Sequence, residues 1–234
     1  MAGYRTRKLL EQQIAYYRAR ANEYDQWFLR QGRYDRGPEL NELWFSEVRE
    51  VVGVLRSFAP RGRVLELACG TGLWTQHLAQ FARSVTVVDA SPEVLAIARQ
   101  RLGEYKIHYV LADIFSWRPE TVYDVVLFAF WLSHVPRERF ASFWGLVKSC
   151  LAPNARMFFV DSLYSESSTA IDHRLKGPRA TTVKRRLDDG REFEIVKVFR
   201  PPDELAHQVE EFGWQVSVRA TANYFLYGFG MARQ

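Results

Sequence analysis

The stretch Val64-Leu65-Glu66-Leu67-Ala68-Cys69-Gly70-Thr71-Gly72-Leu73-Trp74 decides the fold. It reads as a short apolar strand, an acid, a tight glycine turn and the start of a helix. Gly70 and Gly72 carry no Cβ, so the backbone can turn sharply and approach a ligand closely. Glu66, ahead of the turn, suits a ligand with a cationic amino group and would repel a pyrophosphate. A second acid, Asp89, closes the next apolar run, Val85-Thr86-Val87-Val88, where a ribose would lie. The pair points to an enzyme that binds a nucleoside-like cofactor.

The pattern repeats outward from this turn. Strand-like runs follow at Val64–Leu67, Val85–Val88, Ile107–Leu111, Val122–Ala129 and Met157–Val160. Helical runs lie between most of them, at 73–81, 92–102 and 136–151. Ser91 stands as N-cap with Pro92 at the first helical position. Strands alternating with helices of this length predict a parallel sheet covered on both faces. Ligands then bind outside the carboxyl ends of the strands, at the switch point.

Upstream, residues 6 to 29 predict one helix with Leu10, Ile14, Tyr17, Ala21, Tyr24 and Phe28 on one stripe, ended by Gly32. A second helix is expected from Pro38 to Phe58, burying Leu43, Val48, Val51, Val52 and Leu55. Beyond Asp161 the pattern changes. Residues 162 to 180 are polar and irregular. Thr181–Leu187 and Phe193–Phe199 are strand-like and flank Asp188-Asp189-Gly190, a hairpin signal. A helix over 203–212 and two antiparallel strands, 214–218 and 223–229, close the chain.

At 234 residues and 47% hydrophobic, the chain can bury one substantial core. A net charge of +5 permits acidic partners without demanding them. Cys69 and Cys150 fit no disulfide framework and no metal-binding spacing, so no metal site is expected. Both are read as small buried side chains in a reducing cytoplasm. No leader-like h-region and no apolar run of about 18 residues is present.

The residues resemble a known family, the class I S-adenosylmethionine-dependent methyltransferases, in their small-molecule branch. Glu66-Leu-Ala-Cys-Gly70-Thr-Gly72 is similar to the family's first motif, acid-x-(Gly/Ala)-x-Gly-x-Gly. Asp89 holds the place of the ribose acid. Ala112-Asp113-Ile114 resembles the adenine-recognition motif, and Tyr123-Asp124-Val125-Val126 opens the fourth strand as the family does. The likeness is strong over residues 60 to 161. It is weaker at the N-terminal helix, where Tyr17 and Tyr24-Asp25 resemble the branch that includes quinone methyltransferases. A dinucleotide fold fits less well, because its third glycine would be expected at Thr75.

The resemblance implies an α/β fold, a single Rossmann-like, doubly wound, mostly parallel seven-stranded sheet. An N-terminal helical lid (1–59) precedes the cofactor-binding core (60–161). An inserted β-hairpin follows strand 5 (162–200), and a C-terminal helix with closing strands (201–234) completes one domain. The implied cofactor is S-adenosyl-L-methionine, with S-adenosyl-L-homocysteine as product. Glu66 is expected to accept from the cofactor ammonium and Asp89 to hold both ribose hydroxyls. Asp113 would read the adenine amino group, with Ile114, Ala90 and Val94 packed on the ring. Ala68, Gly70, Gly72 and Trp74 complete the turn. Tyr17, Tyr24 and either Arg20 or Arg33 would close over the cofactor carboxylate, although an aromatic stripe at this spacing is also what a core helix shows. Phe128 and Phe130, after the fourth strand, would flank the sulfonium.

His134, in Leu132-Ser133-His134-Val135-Pro136, is the candidate base. His173, Asp161 and Tyr164 are weaker pocket candidates. The segment is not Asn/Asp-Pro-Pro-Tyr, so transfer to oxygen is favoured over nitrogen or carbon. The acceptor is expected to be a small apolar or aromatic molecule. Nucleic acid is not expected, no membrane is implied, and the protein would be a monomer or homodimer. The cations of the hairpin, among them Lys184, Arg185, Arg186 and Arg191, read either as a salt-bridged lid or as an anchor for an acidic substrate. Two rivals are an RNA methyltransferase and a non-catalytic cofactor-binding regulator.

Overall fold

The structure is a computed structural model that describes residues 2–103 and 105–233. Its centre is a seven-stranded sheet in the order β3-β2-β1-β4-β5-β9-β8. The strands are β1 (Arg63–Leu67), β2 (Ser84–Asp89), β3 (Ile107–Leu111), β4 (Tyr123–Ala129), β5 (Leu151–Ser162), β8 (Trp214–Ala220) and β9 (Phe225–Ala232). The first five run parallel, and β9 is antiparallel to both β5 and β8. The order reverses between β1 and β4. That opens a crevice beyond their carboxyl ends, as the doubly wound topology requires.

Helices cover both faces. They are α3 (Pro38–Phe58), α4 (Thr75–Ala79), α5 (Pro92–Arg101), α6 (Phe140–Ser149) and α7 (Pro202–Glu211). Because both faces are buried, the strands are continuous apolar runs. Along β4 the side chains alternate. Val126 and Phe128 pack with Phe143, Trp144 and Val147 of α6, while Val125, Leu127 and Ala129 pack with Val51 and Leu55 of α3. Ser91 caps α5, its hydroxyl accepting from the Val94 amide at 3.2 Å.

The buried face of α3 differs from the periodic reading. Leu43 is exposed, and Trp44 and Glu47 are buried instead. Glu47 accepts from the Asn223 side chain, the Tyr224 amide and the Thr221 hydroxyl, which ties α3 to the turn before β9. A buried acid is tolerated because its oxygens are fully hydrogen-bonded.

The expected N-terminal helix is broken. It runs as α1 (Ala2–Ala19), a short 3-10 turn and α2 (Tyr24–Phe28). The hairpin β6 (Thr182–Arg186) and β7 (Glu192–Val196) forms a separate two-stranded sheet. Tyr16 of α1 packs against Val183, Leu187 and Ile195 of this hairpin. Helix and hairpin together roof the strand ends. Gly32 and Gly177 punctuate the connections. No helix among the described residues is long and apolar enough to cross a membrane.

Candidate functional site

Two adjoining cavities lie under that roof, at the carboxyl ends of β1, β2 and β4. The walls of the first include Asp89, Ala90, Val94, Asp113, Ile114 and Ala68. The walls of the second include Arg20, Trp27, Arg185, Lys197 and Phe199. Tyr17, Tyr24, Phe130 and His134 line both.

The strand-end turns are held in unusual backbone conformations. Ala68 and Phe130 have φ of +56° and +54°, a region non-glycine residues rarely visit and one that clusters at binding sites. Gly70 lies at φ +53°, and a Cβ there would stand 2.6 Å from the Tyr24 hydroxyl. The missing side chain therefore seats the lid on the turn. At Gly72, φ +83°, a Cβ would meet Leu102 at 2.8 Å, so this glycine lets α5 close on the turn.

Each acid sits where its strand ends. Asp89 accepts from the Gly70 amide at 3.0 Å and the Ser91 amide at 2.9 Å. Burial raises its pKa, and these amides oppose the rise. Asp113 accepts from the Phe115 amide at 3.0 Å. Glu66 is buried behind the turn and does not line either cavity. One of its oxygens accepts from Thr75 at 2.5 Å, while Oε1 has no partner. Burial, opposed by the Thr75 bond, pushes its pKa to about 8. An unpartnered buried carboxyl oxygen is costly unless something binds it. A nucleoside cofactor with a cationic amino group fits these acids: Asp89 and Asp113 face the cavity, and Glu66 is left one bond short.

His134 is buried on the shared wall. Its Nδ1 donates to the Val196 carbonyl at 2.7 Å, so Nε2 carries the free lone pair. That nitrogen accepts from the Tyr17 hydroxyl at 2.9 Å. Burial, then the Lys197 charge, holds the imidazole well below its usual pKa, so it is neutral at pH 7. Burial also raises Tyr17, which stays a phenol. Gln13 fixes the loop, donating to the His134 carbonyl and accepting from the Val196 amide.

Other expected residues lie elsewhere. Phe128 points to the opposite face of β4, stacked on Phe159 under α6, and does not flank the cavity. Two-residue periodicity puts Phe128 and Val126 on one face, while Phe130, beyond the strand, turns into the site beside Ala129 and Trp131. Trp74 is buried among Phe28, His77 and Phe130 and lines neither cavity. Arg33 is an ion-pair clamp between lid and hairpin, with Asp188 at 2.9 Å, Asp172 at 3.0 Å and Glu23 at 3.6 Å. It lines neither cavity, whereas Arg20 lines the second together with Arg185. Of the weaker candidates, Tyr164 packs on Phe199. Asp161 accepts from the Ser133 amide at 2.7 Å. The His173 Nε2 accepts from the Arg186 amide at 3.0 Å.

Sequence reasoning missed Lys197. It is buried, 3.8 Å from Asp161, and donates to the Ser133 hydroxyl at 2.9 Å. A single charge inside Ile195-Val196-Lys197-Val198-Phe199 was the available signal. The lid latch was missed too. Asp25 accepts from Thr71 at 2.5 Å and pairs with Arg101, whose guanidinium also donates to the Thr71 carbonyl at 2.7 Å.

Comparison with known proteins agrees with this geometry. A family model described as a methyltransferase domain matches residues 64–154. Nodulation protein S of Sinorhizobium fredii is 33% identical over 107 residues, 44% of this chain and 49% of that protein. The mitochondrial ubiquinone biosynthesis O-methyltransferase of Schizosaccharomyces pombe is 27% identical over 162 residues, 66% of this chain and 56% of that protein. The chain thus spans about half the length of the curated relatives it matches. The structure of DhpI in complex with SAH is 38% identical, covers 96% of this chain and 97% of that one, and superposes with a TM-score of 0.79. With the strand-end acids in place and a solved relative matched over nearly its whole length, the chain belongs to the class I S-adenosylmethionine-dependent methyltransferases.

Proposed function

We propose that the protein methylates an oxygen of a small-molecule acceptor, with the cofactor in the first cavity and the acceptor in the second. The observation that carries this reading is the hydrogen bond from Tyr17 to His134 Nε2, 2.9 Å long, on the wall the cavities share. The bound cofactor supplies an electrophilic methyl group on a sulfonium whose leaving group is a neutral thioether. The protein's part is alignment, exclusion of water and removal of a proton. An acceptor hydroxyl donates to the Tyr17 oxygen as the Tyr17 proton passes to His134 Nε2. The Val196 carbonyl holds the imidazole in the tautomer that can take it.

The aromatic walls formed by Tyr17, Trp27, Phe130 and Phe199 suit an apolar or aromatic acceptor body and keep water from the reacting centre. Asp89 and Asp113, which line the first cavity, are the proposed contacts to the cofactor's ribose and adenine, and Glu66, behind the glycine turn, is the proposed partner of its ammonium through water. One relative named above is an O-methyltransferase, which supports transfer to oxygen.

The test supplies methyl-labelled cofactor with a panel of small hydroxylated and aminated compounds. Product fragmentation then locates the label. Label on oxygen, with turnover lowered at least about a hundredfold by Tyr17→Phe, is the expected result. Label on nitrogen alone overturns the assignment.

A further inference from the structure

The second cavity holds more positive charge than its surroundings neutralise. Arg20 is held by aromatic rings and neutral oxygens. Its guanidinium lies 5.4 to 5.7 Å from the ring centres of Tyr16, Tyr24 and Tyr34, and it donates to the Tyr24 carbonyl and Tyr34 hydroxyl at 3.4 Å each. Arg185 donates to the Thr169 hydroxyl at 2.6 Å and lies 3.2 Å from His173. Among the described residues neither arginine is paired with a carboxylate. Lys197 has one, Asp161, at 3.8 Å, and its nearer partners are the hydroxyls of Ser133 and Ser162. His134 and His173 are both depressed, His173 to about 4, so neither adds charge at neutral pH. Three cations thus face one carboxylate.

Sheltered like charges repel, and each is costly without a counter-ion. Burial and the fields of Arg185 and Arg20 push Lys197 down to about 8, against the pull of Asp161. A fold keeps such an arrangement where a ligand completes it. Guanidinium forks match the oxygens of a carboxylate or phosphoryl group. The surrounding Ser and Thr hydroxyls can supply further donors to such a group.

We propose that the acceptor carries a compact anionic head group, carboxylate or phosphoryl, bound in the second cavity by Arg20, Arg185 and Lys197. The inference rests on reading that cavity as the acceptor's. It makes the hairpin part of the acceptor site, since Arg185 comes from β6 and Lys197 follows β7.

The test loads the full chain with S-adenosyl-L-homocysteine and titrates inorganic phosphate, then malonate, by calorimetry. Binding of either ion that weakens at least about tenfold in Arg185→Gln, with homocysteine-nucleoside affinity unchanged, is the expected result. Phosphate alone identifies a phosphoryl head group, malonate alone a carboxylate, and both together a site for either. Lys197→Met is a second variant with the same expected loss. Because that variant removes the cation facing buried Asp161, Arg185→Gln decides if it does not fold. Binding of neither ion, or equal binding in wild type and Arg185→Gln, overturns the proposal. The labelled-methyl assay is independent of ion binding, so loss of the oxygen assignment there is distinguishable from failure here.

Discussion

At the residue scale, His134 and Glu66 show how burial sets protonation. The His134 imidazole is held neutral by burial and by Lys197. As pH falls through the unfolded value of about 6.5, the unfolded chain takes up a proton that the folded chain refuses. Stability contributed by this group is therefore present above about pH 6.5 and lost below it. For turnover, the rate should stay flat from about pH 6.5 to 8, rather than rise through the ordinary imidazole range. A pH–rate profile checks this. His134→Ala should lower turnover by about 10²–10⁴-fold with homocysteine-nucleoside affinity little changed. Unchanged turnover would falsify the base assignment.

Glu66 makes the opposite case. Burial raises it to about 8, so it is largely protonated at pH 7. Pairing with an ammonium favours the carboxylate, so cofactor binding at pH 7 should release a proton. Calorimetry in two buffers of different ionisation enthalpy reads that release, and Glu66→Gln should abolish it. Asp89→Ala should weaken cofactor binding by about 1–3 kcal/mol through lost hydrogen bonds to a charged group, measured by the same titration.

At the element scale, polar contacts tie the lid to the sheet core and to the hairpin. Asp25 joins Thr71 and Arg101, Arg18 pairs with Glu93 on the surface at 2.9 Å, and Arg33 clamps the hairpin. The Asp25 latch is the one seated on the glycine turn itself. Asp25→Ala should cost about 1 kcal/mol of stability or less, because surface-near pairs contribute little. Its larger effect belongs to motion: amide exchange in α1 and α2 should quicken and cofactor dissociation should speed up, while exchange in β1 and β4 stays slow. Uniform change across the chain would show that the latch is not local.

At the scale of the whole molecule, the layer between β4, β5 and α6 carries stability apart from the site. Trp144 is fully buried against Phe128, Phe143, Phe159 and Trp214. Trp144→Ala should destabilise by about 3–5 kcal/mol, from lost burial and the cavity left behind. Urea titration should show a lower midpoint at an unchanged slope. The surviving folded fraction should bind homocysteine nucleoside normally, since Trp144 lines neither cavity.

Sequence by itself determined the sheet and the acids at its strand tips. Apolar runs bounded by Glu66, Asp89 and Asp113 are local signals, set by side-chain periodicity and by glycines that only certain turns need. Boundaries followed closely, as at Ile107–Leu111 and Pro38–Phe58. What the tertiary structure decided is everything that depends on which face or partner a side chain meets. Tyr17 meets His134 across 117 residues of chain, and Lys197 joins Ser133 across 64. Phe128 and Phe130 differ only in where the strand ends. No local pattern records a meeting between segments so far apart, because the hydrogen bond and the burial that give these groups their chemistry exist only once roof and sheet have closed on each other.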